Sequence, residues 1–337
     1  METVFVTGGT GFLGQSLISQ LIRKGDRIKI LVRPASQSKI NNPLIEKIIG
    51  DIRDKKTFES ALSGVDKIYH LAGVVTDWAP RSLYESVHIQ GTKNILEAAI
   101  ANKVKKLIHI STVDVLDYEH SPCVNETTGY TLSNAPYRHT KVQAEKLILN
   151  SKTDGLNFVI IRPSWIYGQG DTTFFPEIAY QIKKGQMIFI GSPKNLVPLV
   201  YSDNLSSVII KAGEIQCADR EIFLVSDGEI TWEKLVEYIS AGVEIKEKQF
   251  LACVPYAIAY FLAIIMEGMA KTMKNKKRPL LTRFAVEITG KSIKVNTEKA
   301  KKMLGYLPSI PLEDGIKKSV QWLKDKSIDD LRKKVIF

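Results

Sequence analysis

Two hydrophobic periods alternate along the chain. Short runs rich in isoleucine, valine and leucine, apolar on both faces, predict buried strands at residues 3–7, 28–32, 46–49, 67–72, 107–111 and 158–161. Segments with apolar residues every three or four positions predict helices at residues 12–24, 82–101 and 137–150. Alternation of this kind predicts an α/β fold, a doubly wound parallel sheet with right-handed crossovers.

A glycine-rich turn joins the first predicted strand to the first predicted helix. Gly8 permits the tight turn, Gly11 lets the backbone approach a pyrophosphate, and Gly14 lets the helix pack closely on the sheet. The helix N-terminus at Phe12 and Leu13 offers N–H groups and a partial positive charge to phosphates. Because a strand precedes the turn and a helix follows it, we predict a dinucleotide site of Rossmann type.

The regular alternation ends at about residue 163, and no second series of strand–helix units follows. We therefore predict a Rossmann-type NAD(P)-binding domain at residues 1–165. Residues 166–337 are then expected to form a smaller, mixed α/β region that binds mainly substrate.

The end of the second predicted strand carries basic residues where an acidic residue would favour NAD. Arg33 can bind a 2′-phosphate through two hydrogen bonds, Ser36 can add another, and Lys39 is nearby. We therefore expect NADP(H) to be favoured over NAD(H). The alternative is that Arg33 is an ordinary solvated surface residue.

Two further strand ends are expected to contact the cofactor. Asp51 follows the third predicted strand and can accept a hydrogen bond from the adenine amino group, while Ile52 packs on the ring. Leu71, Ala72 and Gly73 end the fourth predicted strand, where small residues let a cofactor lie across the sheet edge.

Tyr137 and Lys141 are the candidate catalytic pair. They are four residues apart, which places them on one face of a helix. An ammonium group near a phenol stabilises the phenolate, so we expect the pKa of Tyr137 to fall below its ordinary value of about 10. Ser111 and Thr112 end the fifth predicted strand; because side chains alternate there, only one of them can face the site, and the sequence does not decide which.

The motifs described so far resemble an extended short-chain dehydrogenase/reductase of the NAD-dependent epimerase/dehydratase superfamily. The matching segments are residues 7–14, 70–73, 88–94, 109–112, 137–141 and 162–168. The 3β-hydroxysteroid dehydrogenase branch, with dihydroflavonol reductases as relatives, is the most similar. That finer resemblance rests on residues 76–78, 111–115, 200–205, 225–228 and 299–306.

The resemblance implies a role for each candidate residue. Tyr137 would be the general acid/base, and Lys141 would modulate its pKa and bind the nicotinamide ribose. Thr112 would hydrogen-bond the substrate oxygen, with Ser111 as the second choice. Two more residues are implied to bind the cofactor, namely Pro163 and Ile166.

One position departs from the family pattern. His88 stands where the family usually has asparagine before the Gly-Thr pair. The departure puts in question the structural hydrogen bond of that asparagine, although it does not affect the hydride chemistry.

The function implied is an NAD(P)-dependent oxidoreductase that interconverts a ketone and a secondary alcohol on a steroid-, terpenoid- or other lipid-like substrate. The main alternative is a nucleotide-sugar epimerase, which uses the same scaffold. A dehydratase would carry an Asp-Glu pair directly after Thr112, whereas Val113 follows it here. A cofactor-binding sensor without turnover is a third hypothesis, although both Tyr137 and Lys141 are retained.

Residues 250–266 contain no charged residue. As one helix they would span only about 26 Å, and Pro255 would shorten it further by starting the helix. Basic residues follow at 271, 274, 276, 277 and 278, as in an interfacial anchor. Three hypotheses stay open: peripheral membrane contact through residues 250–278, a helix that is buried, lines an apolar pocket or forms a homodimer, or a membrane-spanning helix, for which about 26 Å is a marginal length.

The composition of the chain limits which other classes of function it can have. The net charge of +11 over 337 residues favours anionic ligands or surfaces, but no basic stripe with interleaved aromatics indicates nucleic-acid binding. Cys123, Cys217 and Cys253 are isolated, without metal-ligand spacing or a disulfide framework. We therefore expect a protein of the reducing cytoplasm that binds no metal, associated with a membrane only if residues 250–278 act as an anchor.

Overall fold

The structure is a computed structural model that describes residues 1–121, 123–151, 155–243, 250–273, 278–324, 326–328 and 331. Its strands, numbered along the chain, are β1 (Thr3–Thr7), β2 (Arg27–Val32), β3 (Ile45–Ile49), β4 (Lys67–His70), β5 (Lys106–Ile110), β6 (Cys123–Val124), β7 (Asn157–Pro163), β8 (Trp165–Tyr167), β9 (Met187–Ile190), β10 (Leu196–Tyr201), β11 (Glu221–Val225), β12 (Gly228–Thr231), β13 (Phe250–Val254) and β14 (Lys294–Val295).

The α-helices are α1 (Phe12–Lys24), α2 (Arg81–Tyr84), α3 (Gly91–Ala101), α4 (Pro136–Leu149), α5 (Phe174–Lys183), α6 (Ser202–Glu214), α7 (Trp232–Gly242), α8 (Tyr256–Thr272), α9 (Arg283–Thr289), α10 (Glu298–Leu304) and α11 (Leu312–Lys324). A π-helical turn, Glu85–Gln90, joins α2 to α3 without a break, so the helix predicted at residues 82–101 is one continuous element.

A seven-stranded parallel sheet forms the main layer, in the order β11-β7-β5-β4-β1-β2-β3. The strand order reverses between β1 and β4, and ligands of such sheets bind at the carboxyl ends of the strands beside that point. All six predicted strands are present, and the predicted α/β doubly wound fold is confirmed. The seventh strand, β11, was not predicted.

Helices cover both faces of the sheet. The core on one face is shared with α1, α6 and α10, and the core on the other face with α3 and α4. Helix α1 stops where predicted, because Gly25 takes a left-handed conformation (φ 85°) and its N–H donates to the Ile22 carbonyl at 3.0 Å. These helices fix the strand ends on which the candidate residues lie.

The C-terminal half has smaller sheets and a core of its own. Strands β12, β10 and β8 form one sheet, and β9 pairs with β13 in another. Helices α5, α7 and α11 contribute to this second core. The division at residue 165 stays a prediction, and two later elements, β11 and α6, belong to the layers of the large sheet.

The apolar segment 250–266 divides at Pro255 into strand β13 and the start of α8. Helix α8 buries small residues, including Ala259 and Ala263, and exposes large ones. The exposed large residues are Ile258, Phe261, Leu262, Ile264, Ile265 and Met269. Among the described residues, no helix is both long enough and apolar enough to cross a bilayer. Lys274, Lys276 and Lys277 lie outside the described residues.

Candidate functional site

The glycine turn between β1 and α1 is closed by contacts that leave no room for side chains. A Cβ at Gly8, where φ is +74°, would lie 2.8 Å from the Ala72 backbone nitrogen. A Cβ at Gly14 would collide with the Gly8 carbonyl and lie 2.7 Å from the Gly9 Cα. Gly11 is the N-cap of helix α1 and provides no side-chain cap, and the first turn of the helix has no acidic residue. Its N–H groups therefore suit the pyrophosphate of a dinucleotide.

The first two residues of α1 lie beside this turn. The Phe12 ring packs against the turn at Gly168 and Gly170, since a Cβ on Gly168 would lie 3.2 Å from it. Leu13 packs on the core of the sheet. The structure therefore brings the turn after β8 next to the glycine turn, and with it Ile166 of that strand.

Arg33 is exposed directly after β2, at the same edge of the sheet. Ser36 lies in the following 3₁₀ turn, where its N–H donates to the Arg33 carbonyl at 2.8 Å, and it is buried. The side chain of Lys39 lies outside the described residues. The preference for NADP(H) stays a prediction.

Asp51, after β3, is held by a neighbour that the sequence did not indicate. Its carboxylate accepts hydrogen bonds from Arg53 Nε at 2.9 Å and Nη2 at 2.7 Å. These bonds hold the pKa of Asp51 below its ordinary value, and the charge of Arg33 adds to the effect. Ile52 is buried against Gly91 of α3. Their predicted contacts with adenine stay predictions.

The turn after β4 approaches helix α4. Leu71, Ala72 and Gly73 are all partly exposed, and the Ala72 N–H donates to Thr7 Oγ1 at 3.2 Å. A Cβ at Gly73 would lie 3.7 Å from Lys141 Nζ. The turn therefore lies close to both the ammonium group and the His88 ring, since the same Cβ would lie 3.4 Å from His88 Nε2.

Tyr137 stands in the first turn of α4, which begins with Pro136, a residue suited to the first helical position. Its ring makes edge contacts with His88 and Phe284, at centroid distances of 5.8 and 5.5 Å. Lys141, one turn later, is buried and donates to the Ile110 carbonyl at 2.9 Å. The backbone end of β5 thereby fixes the position of the ammonium group.

The electrostatics of this pair differ from the expectation. Burial raises the pKa of Tyr137, the Asp114 carboxylate adds to the rise, and a hydrogen bond with Thr112 opposes it. The ammonium of Lys141 is directed at the Ile110 carbonyl and does not offset the rise. Burial also lowers the pKa of Lys141 to about 8, although the charge of Glu145 acts against this.

Thr112 is the hydroxyl that the structure brings to Tyr137. Its Oγ1 also lies 3.0 Å from Asp114 Oδ2 and accepts from the Asp114 N–H at 3.2 Å. The Ser111 hydroxyl is buried and has no hydrogen-bond partner among the described residues. Pro163 ends β7, beside β5, at the same edge of the sheet.

His88 stands where the family usually has asparagine, which put the structural hydrogen bond of that position in question. The structure shows that His88 makes structural hydrogen bonds there. The Val74 N–H donates to Nε2 at 2.9 Å, so Nδ1 carries the proton and donates to Thr140 Oγ1 at 2.8 Å. Burial and the charge of Lys141 lower the pKa of His88 to about 2, which keeps the ring neutral. His88 therefore ties the turn after β4 to the middle of α4.

We expect His88→Ala to lower the free energy of unfolding by about 1–3 kcal/mol, because both the Val74 N–H and the Thr140 hydroxyl lose a buried partner. His88→Asn should lose less, since a carboxamide can still accept from Val74. Urea unfolding of both variants measures the difference. An unfolding free energy of His88→Ala equal to that of the unchanged protein would contradict the prediction.

Phe284 is a residue of the candidate site that sequence reasoning missed. It reaches Tyr137 from α9, and the segment before it is held by Asp77 in the turn after β4. Asp77 accepts from Arg278 Nε at 2.6 Å and from Thr282 Oγ1 at 2.6 Å. No local spacing indicates such a contact, because its partners are far apart in the chain.

Known relatives match this chain over most of its length. Residues 5–222 match the 3-beta hydroxysteroid dehydrogenase/isomerase family. A 4-hydroxy-2-methyl-3-oxo-4-farnesyl-3,4-dihydroquinoline-1-oxide ketoreductase of Stigmatella aurantiaca is 26% identical over 93% of this chain and 94% of that protein. A 2-alkyl-3-oxoalkanoate reductase of Stenotrophomonas maltophilia is 26% identical, over 94% and 97%. A decarboxylating sterol-4-alpha-carboxylate 3-dehydrogenase of Candida albicans is 29% identical, over 96% and 98%.

Solved structures agree on the fold. The crystal structure of gox2253 superposes with a TM-score of 0.79 at 26% identity, covering 96% of this chain and 98% of that one. A UDP-glucose 4-epimerase of Thermotoga maritima superposes with a TM-score of 0.75 at 21% identity and the same coverage. The family that the sequence resembles is thus confirmed. The chain belongs to the 3-beta hydroxysteroid dehydrogenase/isomerase family and is a nicotinamide-dependent oxidoreductase that acts on CH–OH groups.

Proposed function

We propose that this enzyme interconverts a ketone and a secondary alcohol on an apolar substrate, with Tyr137 as its general acid/base. The observation that carries the proposal is the placement of the Tyr137 phenol against Thr112, one helical turn from Lys141 and beside the glycine-lined strand ends. The names of the three relatives describe farnesyl, alkyl and sterol compounds, which supports an apolar substrate.

Each side chain has a defined task in this proposal. The cofactor, when bound, supplies hydride to the carbonyl carbon or takes it from the alcohol. Tyr137 gives its proton to the carbonyl oxygen in the reductive direction, and Thr112 holds that oxygen by a hydrogen bond. Lys141 binds the ribose hydroxyls and so orients the cofactor. Holding both partners in one cleft supplies a further part of the rate.

A substrate panel tests the proposal. Purified enzyme with NADPH is offered a 3-oxosteroid, a 2-alkyl-3-oxoalkanoate and UDP-glucose, and loss of reduced-nicotinamide fluorescence is followed. Oxidation of NADPH by an apolar ketone is the expected result. Interconversion of the UDP-sugar without net oxidation, and no reaction with either ketone, would replace the proposal with an epimerase.

We further propose that Arg33 and Ser36 make NADP(H) the preferred cofactor. Arg33→Asp should weaken NADPH binding relative to NADH by about 10- to 100-fold, because a charge-assisted hydrogen bond to the 2′-phosphate is worth about 1.5–3 kcal/mol. Fluorescence titration with both cofactors measures the ratio. Lys302→Asp makes the same charge change on an exposed residue of α10 and serves as control. An unchanged ratio in Arg33→Asp would reject the assignment.

The exposed face of α8 leads to a proposal of peripheral membrane contact through residues 250–278. Phe261 is 62% exposed there, and Lys271 lies in the last turn of the same helix in a chain of net charge +11. Burying a phenylalanine contributes about 1.5–3 kcal/mol, so Phe261→Ser should weaken binding to anionic vesicles by about tenfold or more. Co-flotation with phosphatidylserine vesicles measures the binding.

The control for this test is Leu307→Ser, which removes an exposed apolar side chain outside α8. Equal binding of Phe261→Ser and Leu307→Ser, or no binding of the unchanged protein, would contradict membrane contact through this face. If sedimentation instead shows a dimer that Phe261→Ser dissociates, a second copy of the chain covers α8.

A further inference from the structure

Asp114 is a buried carboxylic acid directly beside the hydroxyl that would hold the reacting oxygen. It lies in the short 3₁₀ helix Val113–Val115, which Thr112 caps through its side chain. Asp114 Oδ2 is 3.0 Å from Thr112 Oγ1, and both residues are 6% exposed. The cap and the side-chain contact together fix the carboxyl group relative to the Thr112 hydroxyl.

Among the described residues, no cation forms a salt bridge with this carboxyl. The charge of Arg138 of α4 acts on it, but the Arg138 Nε donates to the Asp114 backbone carbonyl at 2.8 Å, its Nη2 to the Leu116 carbonyl, and its Nη1 to Glu287 of α9. Asp114 Oδ1 is buried and has no hydrogen-bond partner among the described residues. The other groups that face the carboxyl are Tyr137 of α4, Tyr118 after the 3₁₀ helix, and Trp165 of β8.

A count of hydrogen bonds at Thr112 shows why the state of Asp114 matters. A hydroxyl donates one hydrogen bond and accepts two. Thr112 Oγ1 already accepts one, from the backbone N–H of Asp114. If the carboxyl group is protonated, it donates to the second lone pair, and the Thr112 proton is left for the groups on its other side, which are the Tyr137 hydroxyl, with which Thr112 shares a hydrogen bond, and a substrate oxygen. If it is ionised, it takes the Thr112 proton, and Thr112 turns a lone pair towards that oxygen.

We propose that Asp114 is a positioning residue that sets the direction of the Thr112 hydroxyl: protonated Asp114 aims it at the substrate oxygen, and ionised Asp114 withdraws it. This inference rests on the proposed function, in which Thr112 holds the reacting oxygen. In this inference, Asp114 contacts neither the substrate nor the cofactor, and it takes part in no covalent step. The same geometry makes Asp114 a determinant of the pH range of ketone reduction.

Two electrostatic effects both favour ketone reduction while Asp114 is protonated. Burial raises the pKa of Asp114, against the opposing charge of Arg138, so the protonated form extends above the ordinary range of an aspartic acid. The charge of ionised Asp114 also raises the pKa of Tyr137, an effect that protonation removes. Reduction should therefore be fastest while Asp114 is protonated and should slow as the pH rises through its pKa.

The pH profile of kcat/KM for ketone reduction, at saturating NADPH, tests the inference. The unchanged enzyme should show a falling limb above the ordinary pKa of aspartate. Asp114→Asn should lack this limb, because a carboxamide can donate to Thr112 at every pH. Thr112→Val should reduce the limb to the part that comes from the charge of Asp114 on Tyr137, with kcat lower by about 100-fold, because an oxygen-holding donor is lost. Thr112→Ser, which keeps the hydroxyl, should retain the limb.

Infrared spectroscopy gives a second readout that does not depend on turnover. The carbonyl stretch of a protonated carboxylic acid should titrate with the limb and be missing in Asp114→Asn. A limb that survives in Asp114→Asn, or that is undiminished in Thr112→Val, would overturn the inference. So would a uniform loss of rate at every pH in Asp114→Asn. Failure of the unchanged enzyme to reduce any ketone is a different result, because it rejects the proposed function itself.

Discussion

Tyr137→Phe is expected to lower kcat by about 100- to 10,000-fold, the usual contribution of a positioned general acid/base. The substitution removes one hydroxyl and leaves the ring, so the edge contacts with His88 and Phe284 remain. Without a proton donor the developing alkoxide must take its proton from water. The affinity for NADPH should change little, because Lys141 and the glycine turn are unchanged.

Steady-state reduction of an apolar ketone measures this effect, with NADPH affinity taken from fluorescence titration of the same preparation. Tyr238→Phe removes a phenolic hydroxyl from α7, in the C-terminal core, and should keep full activity. If Tyr137→Phe turns over as fast as the unchanged enzyme, another group is the acid/base.

Glu145→Gln should be among the most destabilising single changes in the chain. Glu145 continues the Tyr137–Lys141 face of α4 by one more turn, where it is fully buried. Both of its oxygens accept from Arg162 of β7, with Nη2 at 2.6 Å. Removing one partner of a buried ion pair leaves the other charge uncompensated, at a cost of about 3–5 kcal/mol. Equilibrium unfolding in urea measures the loss.

Glu145→Gln should also shift the pH dependence of NADPH binding. The charge of Glu145 raises the pKa of Lys141, which burial lowers to about 8. The Lys141 ammonium is present at low pH and is lost as the pH rises through that value. Without the carboxylate the pKa falls further, so the alkaline loss of NADPH binding should begin at lower pH.

The matched control for Glu145→Gln is the double change Glu145→Met with Arg162→Met. It removes both charges, and apolar replacement of a buried pair is often neutral or stabilising. The double variant should unfold with a free energy closer to that of the unchanged protein. If it is as unstable as Glu145→Gln, the loss comes from packing or from the Tyr130 hydroxyl, which also donates to Glu145.

Most of the correct predictions from the sequence rest on local patterns. The glycine turn needs only a strand, three spaced glycines and a helix, and all three are contiguous. The spacing of Tyr137 and Lys141 likewise determines their shared face as soon as a helix forms. In both cases the geometry is set within a few residues, so no distant part of the chain had to be known.

Distant partners account for what was missed. Strand β11 pairs with β7 although helices and small strands intervene, and its apolar run has no periodic context. Phe284 reaches Tyr137 only through the packing of α9. In the segment 250–266 the helix start at Pro255 was predicted, but strand β13 before it was missed, because a uniformly apolar run has no polar positions to reveal a period. The choice between Ser111 and Thr112 depended on the 3₁₀ helix that follows them.

Because of the π-helical turn Glu85–Gln90, the number of residues in this helix is constrained as strongly as the identity of those residues. An α-helix turns by about 100° per residue, so removing one residue would regularise the backbone and rotate one half against the other by that angle. His88 could then face Val74 and Thr140, or Thr92 could face His70, but both sets of bonds could not form together. A substitution in this helix alters the contacts of one residue. An insertion or deletion alters the contacts at both ends of the cleft.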